Sequence, residues 1–284
     1  MLESVLEELR RVRGLDLSGY CRATLKRRLA NRMGSVRLND PLEYLGRLQS
    51  DPGECDRLIE TITIKVSSFF RDPFVFEFIA QRVLPQIMER HRRNRDHQLR
   101  VWSAGCATGE EAYSVAILLA QALETEKFSW LPYICATDIS AAALDAAKTG
   151  RYRRGSFTTT KLGVLDRYFK PTPDGFEVIP ALRHLVHFSQ DCLTSGNGLA
   201  PTDSIYGSFD LVLCRNVLMY YSLDLQRGTL DRLYEVLNPG GYLVLGASES
   251  LPLQSVSRLM AIDRPNRIFQ KPWCAPDTKM RSYK

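Results

Sequence analysis

The run Leu99–Glu111, LRVWSAGCATGEE, decides the fold. Leu99–Ala104 reads as a buried strand, Gly105–Gly109 as a turn, and the residues from Glu110 to about Ala122 as a helix. In open parallel sheets ligands bind outside the carboxyl ends of the strands, so this turn lies on the ligand side. Glycine there admits backbone that a Cβ would keep away. The spacing is G-x-x-x-G, which is neither the dinucleotide fingerprint nor a P-loop.

Glu110 and Glu111 sharpen the reading. A pyrophosphate would occupy the helix N-terminus, but two carboxylates already hold that favourable place. A ligand carrying positive charge fits better, and S-adenosylmethionine (SAM) carries a sulfonium and an ammonium. The alternative is that both acids only satisfy the helix dipole.

Outward from this unit, short apolar runs alternate with helical stretches, the mark of a parallel sheet covered on both faces. Tyr133–Thr137, Leu185–Ser189, Phe209–Cys214 and Tyr242–Gly246 are predicted strands. A helix from about Leu223 to Leu237 stops at Asn238-Pro239-Gly240-Gly241. Residues 150 to 185 are irregular and suit a small antiparallel insertion.

Upstream, residues 2 to about 70 read as short helices. Leu2, Leu6, Leu9 and Val12 form an apolar stripe, and a second helix spans about Tyr20 to Met33. Asp40-Pro41, Asp51-Pro52 and Asp72-Pro73 each resemble an N-cap followed by a first-turn proline, the last opening a helix to about Arg90. The expected organisation is a helical domain at 1–75, a linker helix at 76–97, the α/β domain at 98–275, and a tail at 276–284, with disorder expected past Pro272.

Composition sets limits. Of 284 residues 44% are hydrophobic and 25% charged, as in ordinary globular proteins. No stretch approaches a membrane span, and the acidic, amphipathic N-terminus carries no signal pattern. A cytoplasmic location is expected, with no membrane insertion. Seven cysteines without a C-x-x-C pair argue against a disulfide framework or a metal site. The net charge of +6 is uneven: nine basic residues lie between Arg10 and Arg37 against Asp16 alone, which implies an acidic partner.

Further polar residues sit where a ligand would lie. Asp138 closes the second strand and could accept from ribose hydroxyls, or simply cap the next helix. Asp191 follows the third strand and could accept from an adenine amino group, or stand in a turn. Arg215 and Asn216 end a buried strand and need partners, so they are expected to face the crevice, with Tyr220 close behind. Ser67-Ser68-Phe69-Phe70-Arg71-Asp72 offers an apolar wall and an anion hook where the first domain gives way to the second.

The runs WSAGCATGEEAYS, ATDIS, FDLVLCRNVLMYY and LNPGGYLVLGASES, with SSFFRD ahead of them, resemble the chemotaxis receptor glutamate methyltransferase family (CheR) over nearly the whole chain. The resemblance implies an N-terminal all-α domain and an α/β, Rossmann-like SAM-dependent methyltransferase domain. Its sheet would be seven-stranded and mostly parallel, with a small antiparallel β insertion. It implies Arg71 and Tyr220 at the reacting groups. Ser67, Arg71, Gly105, Glu111, Asp138, Asp191, Cys192, Arg215 and Asn216 would then lie around SAM, which leaves as S-adenosylhomocysteine. Lys65 and Ser67 replace the family's usual asparagine and threonine, and Asp191-Cys192 replaces Asn-Leu. Residues 150 to 185 lack a run of glycines, so no tethering to a receptor tail is expected.

The implied acceptor is a glutamate on the cytoplasmic helices of a methyl-accepting chemotaxis receptor. Its carboxylate, with a pKa of ~4.3, is already the nucleophile at neutral pH, and no histidine is needed as base. Lys26, Arg27, Arg28 and Arg32 would dock the acidic receptor. No aromatic platform is interleaved with these residues, so nucleic acid is not expected, and a monomer is the simpler state. Two other readings stay open: a methyltransferase acting on another protein or RNA, and a SAM-sensing module without turnover.

Overall fold

The computed structural model describes residues 2–63, 67–194, 198–251 and 258–273. The expected tail and Lys65 lie outside them.

Four helices open the chain: α1 (Leu2–Arg13), α2 (Arg22–Ser35), α3 (Pro41–Ser50) and α4 (Pro52–Ile62). Their starts follow local chemistry. Asp40 accepts from Leu42 N at 2.9 Å and Asp51 from Gly53 N at 3.0 Å, each followed by proline in the first turn. Leu2, Leu6 and Leu9 of α1 and Leu25 and Leu29 of α2 are buried together.

Asp72 departs from the capping pattern. It adopts φ 59° and makes no side-chain cap before α5 (Pro73–Phe78). Its carboxylate is drawn instead to Arg215, at 2.6 Å. The helix continues through a π-turn (Ile79–Val83) into α6 (Leu84–Asn94), past the expected end at Arg90.

The second domain follows as β1 (Gln98–Ala104), α7 (Glu110–Leu123), β2 (Leu131–Asp138) and α8 (Ala141–Thr149). An insertion contains β3 (Arg151–Arg153), α9 (Leu162–Tyr168), β4 (Phe169–Thr172), β5 (Gly175–Val178) and α10 (Pro180–Arg183). Then come β6 (Val186–Gln190), β7 (Phe209–Cys214), α11 (Leu223–Glu235), β8 (Leu237–Leu245), β9 (Met260–Asp263) and β10 (Ile268–Gln270).

Seven strands form one sheet in the order β6-β2-β1-β7-β8-β10-β9. The first five run parallel, and β10 pairs antiparallel with β8 and β9. Chain direction across the sheet reverses between β1 and β7, which opens the crevice where ligands bind. Asn238-Pro239-Gly240-Gly241, read as the stop of the preceding helix, lies within β8 after α11 has ended. The ladder shifts register there and Gly240 takes φ 73°, so the strand tolerates its proline and glycines through an irregularity. In the insertion, β3-β5-β4 form a separate antiparallel sheet, as expected.

The two domains are tied by backbone. Cys21 N donates to Tyr220 O and Ser222 N to Gly19 O, both at 2.8 Å, while the Tyr20 and Tyr221 rings meet edge-on at 4.9 Å. Among the described residues no helix is long and apolar enough to cross a membrane, and no disulfide joins the six described cysteines.

Candidate active site

Two adjoining hollows open at the carboxyl ends of β1, β2 and β7. They share Gly105, Ala107, Asn216 and Tyr220. Among the described residues the charged lining of the first is Asp138 and Asp191, set among Ile139, Leu193 and Val217. The second is lined by Ser67, Arg71, Glu111, Arg215 and Met219, with Phe76 as an apolar wall.

The turn after β1 is conformationally demanding. Gly105 has φ 75°, and a Cβ on it would come within 2.4 Å of Val217 Cγ2. Packing against Val217, as well as ligand approach, therefore requires glycine. Ala107 and Asn216, which also line both hollows, have φ of 48° and 61°. The Asp138 carboxylate holds this turn by accepting from Ala107 N and Ser140 N, each at 2.9 Å.

Of the two acids that open α7, one faces the cleft. Glu110 is buried and accepts from the Thr108 hydroxyl at 2.7 Å. Glu111 lines the second hollow, accepting from Ser103 Oγ at 2.8 Å and from Arg215 Nη1 at 3.3 Å. The paired-acid reading is thus corrected to one carboxylate with its own cation. Burial pushes the Glu111 carboxyl above its usual range, against the pull of Arg215 and Ser103.

Arg215 organises the second hollow. Nη2 donates to Asp72 Oδ2 at 2.6 Å and to Arg71 O at 3.0 Å. The guanidinium lies over Phe76, 5.3 Å from the ring centre. Its Nε is buried without a hydrogen-bond partner, an unmet donor beside the cleft.

Asp191 borders the first hollow but is already engaged by Arg232 at 3.0 Å. Burial raises its carboxyl despite that cation. Cys192, expected at the cofactor, lines the neighbouring groove with Asp191, Ser140 and Arg13 rather than either hollow, and packs against the core. On α2, Lys26 and Arg27 are exposed and Arg28 is half-buried. Arg32, expected to dock a partner, turns inward and donates to both oxygens of buried Glu54, at 2.7 and 2.8 Å. The cost of burying that carboxylate explains the recruitment.

Two contributions were not read from sequence. Tyr20, Ile62 and Thr63 bring the helical domain to the wall of the first hollow. Glu249, in the turn after β8, is buried and accepts from Gly246 N at 2.7 Å, Asn216 N at 3.0 Å and Met219 N at 3.4 Å. It fixes the loop that carries Asn216 and Tyr220. An acid beyond a buried strand, the signal that singled out Asp138, was present here too.

The sheet order, the glycine turn and the acids beside it define a SAM-dependent methyltransferase domain. The residues suit that cofactor: Asp138 and Asp191 would face its nucleoside end, Glu111 and Arg215 its zwitterionic amino-acid end. A family model described as "CheR methyltransferase, SAM binding domain" matches residues 65–266, and one described as "CheR methyltransferase, all-alpha domain" matches residues 1–63. The chain belongs to the CheR methyltransferase family. It is 35% identical over 236 residues to chemotaxis protein methyltransferase 1 of Pseudomonas aeruginosa, covering 76% of this chain and 81% of that protein. With the chemotaxis protein methyltransferase of Listeria monocytogenes it shares 32% over 240 residues, covering 84% and 85%. It is also 33% identical over 276 residues to an uncharacterized 104.1 kDa protein of Rhodobacter capsulatus, covering 94% of this chain but 28% of that protein.

Proposed function

We propose that this chain methylates glutamate side chains on a chemotaxis-type receptor, using SAM. The observation that carries this is the chemistry of the second hollow: Arg71, Arg215 and Tyr220 line it, and none of the four histidines does. A site without a histidine base suits a nucleophile that is ionised before it arrives, as a glutamate is. Cys106 lines the hollow, but burial pushes its thiol well up, so it stays protonated.

SAM supplies an electrophilic methyl on its sulfonium. Arg71 holds the acceptor carboxylate in line, and Tyr220 donates to it or fixes the loop beneath it. Methyl transfer to that carboxylate would need no proton removed by the protein. Charge is neutralised in this step, so the apolar wall of Phe76 assists by excluding water. Lys26, Arg27 and Arg28 on α2 present positive charge to the acidic receptor. The insertion carries Gly150, Gly155, Gly163 and Gly175 without two adjacent, which supports engagement without a tail tether.

The test is tritiated SAM with receptor-bearing membranes. Base-labile methyl label on the receptor is the expected result. Label on another protein or on RNA would replace the acceptor, and binding without label would make the chain a SAM sensor.

A further inference from the structure

Arg71 stands in a turn that its own residues hold poorly. Phe70 and Asp72, on either side of it, have φ of 54° and 59°, a left-handed conformation that is costly for residues with a Cβ. Within the turn Arg71 N reaches Ser68 O only at 3.3 Å. Stronger ties come from other parts of the chain. Ser114 Oγ of α7 accepts from Phe70 N at 3.0 Å, and Arg215 holds Asp72 as described.

Further ties come from the β insertion. Phe69 N donates to Ser156 O at 2.8 Å. The Thr159 hydroxyl donates to Phe69 O at 2.7 Å, with Phe70 O a longer second acceptor at 3.3 Å. Phe69 is fully buried. Its ring stacks on Phe157 at 4.7 Å and meets Tyr152 and Phe169 edge-on at 4.8 and 4.9 Å. Aromatic contacts of this geometry fix orientation as well as burying area.

We propose that the insertion positions Arg71, with Thr159 acting through its hydrogen bonds and Phe157 through its stacked ring. Neither residue lines the two hollows, so both are positioning residues for methyl transfer. This inference rests on the proposed role of Arg71. A strained turn keeps its geometry only while its surroundings over-determine it, and a misplacement of about 1 Å costs on the order of a hundredfold in rate.

The test uses the full chain with receptor-bearing membranes and four variants: Thr159→Val, Thr159→Ser, Phe157→Leu and Arg71→Ala. For Thr159→Val the expected result is kcat lowered about tenfold or more, with S-adenosylhomocysteine affinity unchanged and thermal midpoint close to wild type. Thr159→Ser restores the hydroxyl and should recover most of kcat. Phe157→Leu keeps apolar volume but loses the stack, and should lower kcat in the same way. Wild-type kcat in both Thr159→Val and Phe157→Leu, beside an inactive Arg71→Ala, would overturn the inference and leave the role of Arg71 standing. Loss of cofactor affinity in step with kcat would overturn it as well. An active Arg71→Ala would overturn the parent reading.

Discussion

The guanidinium of Arg215 lies 2.6 Å from the Asp72 carboxylate, across 143 positions of sequence. This contact joins the turn ahead of α5 to the end of β7 and holds Arg215 where it also meets Glu111. Arg215→Met should therefore leave two carboxylates without their cation, the more costly for Glu111, which is the more buried. A loss of roughly 3 kcal/mol in stability is expected, together with at least tenfold weaker S-adenosylhomocysteine binding. Urea unfolding and calorimetry measure the two effects separately.

On the proposed placement of Glu111 at the cofactor's ammonium, affinity should depend on pH. Burial raises its carboxyl above the usual carboxylate value of 4.5, so it takes up a proton earlier than a surface glutamate as pH falls. The neutral form cannot pair with a cofactor ammonium. Affinity for S-adenosylhomocysteine should decline on acidification from above pH 4.5 in the wild type, and Glu111→Gln should be weaker at neutral pH with a flatter profile, the two converging in acid. Calorimetric titrations across pH check this.

Glu54 makes the helical domain acid-sensitive. Arg32 chiefly, with Arg57 and Tyr44, holds its carboxyl down at about 2, from 4.5. A depressed acid contributes stability above its unfolded pKa and loses it as pH falls through the folded one. The shift corresponds to about 3 kcal/mol, present at neutral pH and lost between about pH 4.5 and 2. The stability gap between wild type and Glu54→Gln should be largest near pH 6 and close progressively below pH 4.5, as followed by urea midpoints.

Glu249→Ala should release the loop that carries Asn216 and Tyr220. Three backbone N–H groups lose their acceptor, which costs about 2 kcal/mol or more. Cofactor affinity should fall with stability, because Asn216 lines both hollows. Glu249→Gln keeps an acceptor oxygen and should be milder on both counts.

What was legible in the sequence was whatever local chemistry decides. The glycine turn after β1, the caps at Asp40 and Asp51, and Asp138 at the end of β2 all depend on neighbours within a few residues. What escaped depends on distant partners. Asp72 carries the same Asp-Pro signal as Asp40, yet Arg215 captures its carboxylate. Arg32 looks like its basic neighbours on α2, but Glu54 draws it inward. Glu110 and Glu111 differ by one position on a helix, and only packing decides which faces the cleft. The short strands β9 and β10 lack any strong apolar run and take their form by pairing with β8. Tyr20 reaches the site because backbone bonds between the domains bring it there.

Arg71→Ala tests the central claim most directly, with methyl transfer to receptor membranes and S-adenosylhomocysteine affinity measured on the same preparation. Transfer should be abolished while affinity stays within about threefold of wild type, since the interaction lost belongs to the reacting state. Unchanged turnover would remove Arg71 from the reaction and with it the proposed mode of holding the acceptor glutamate.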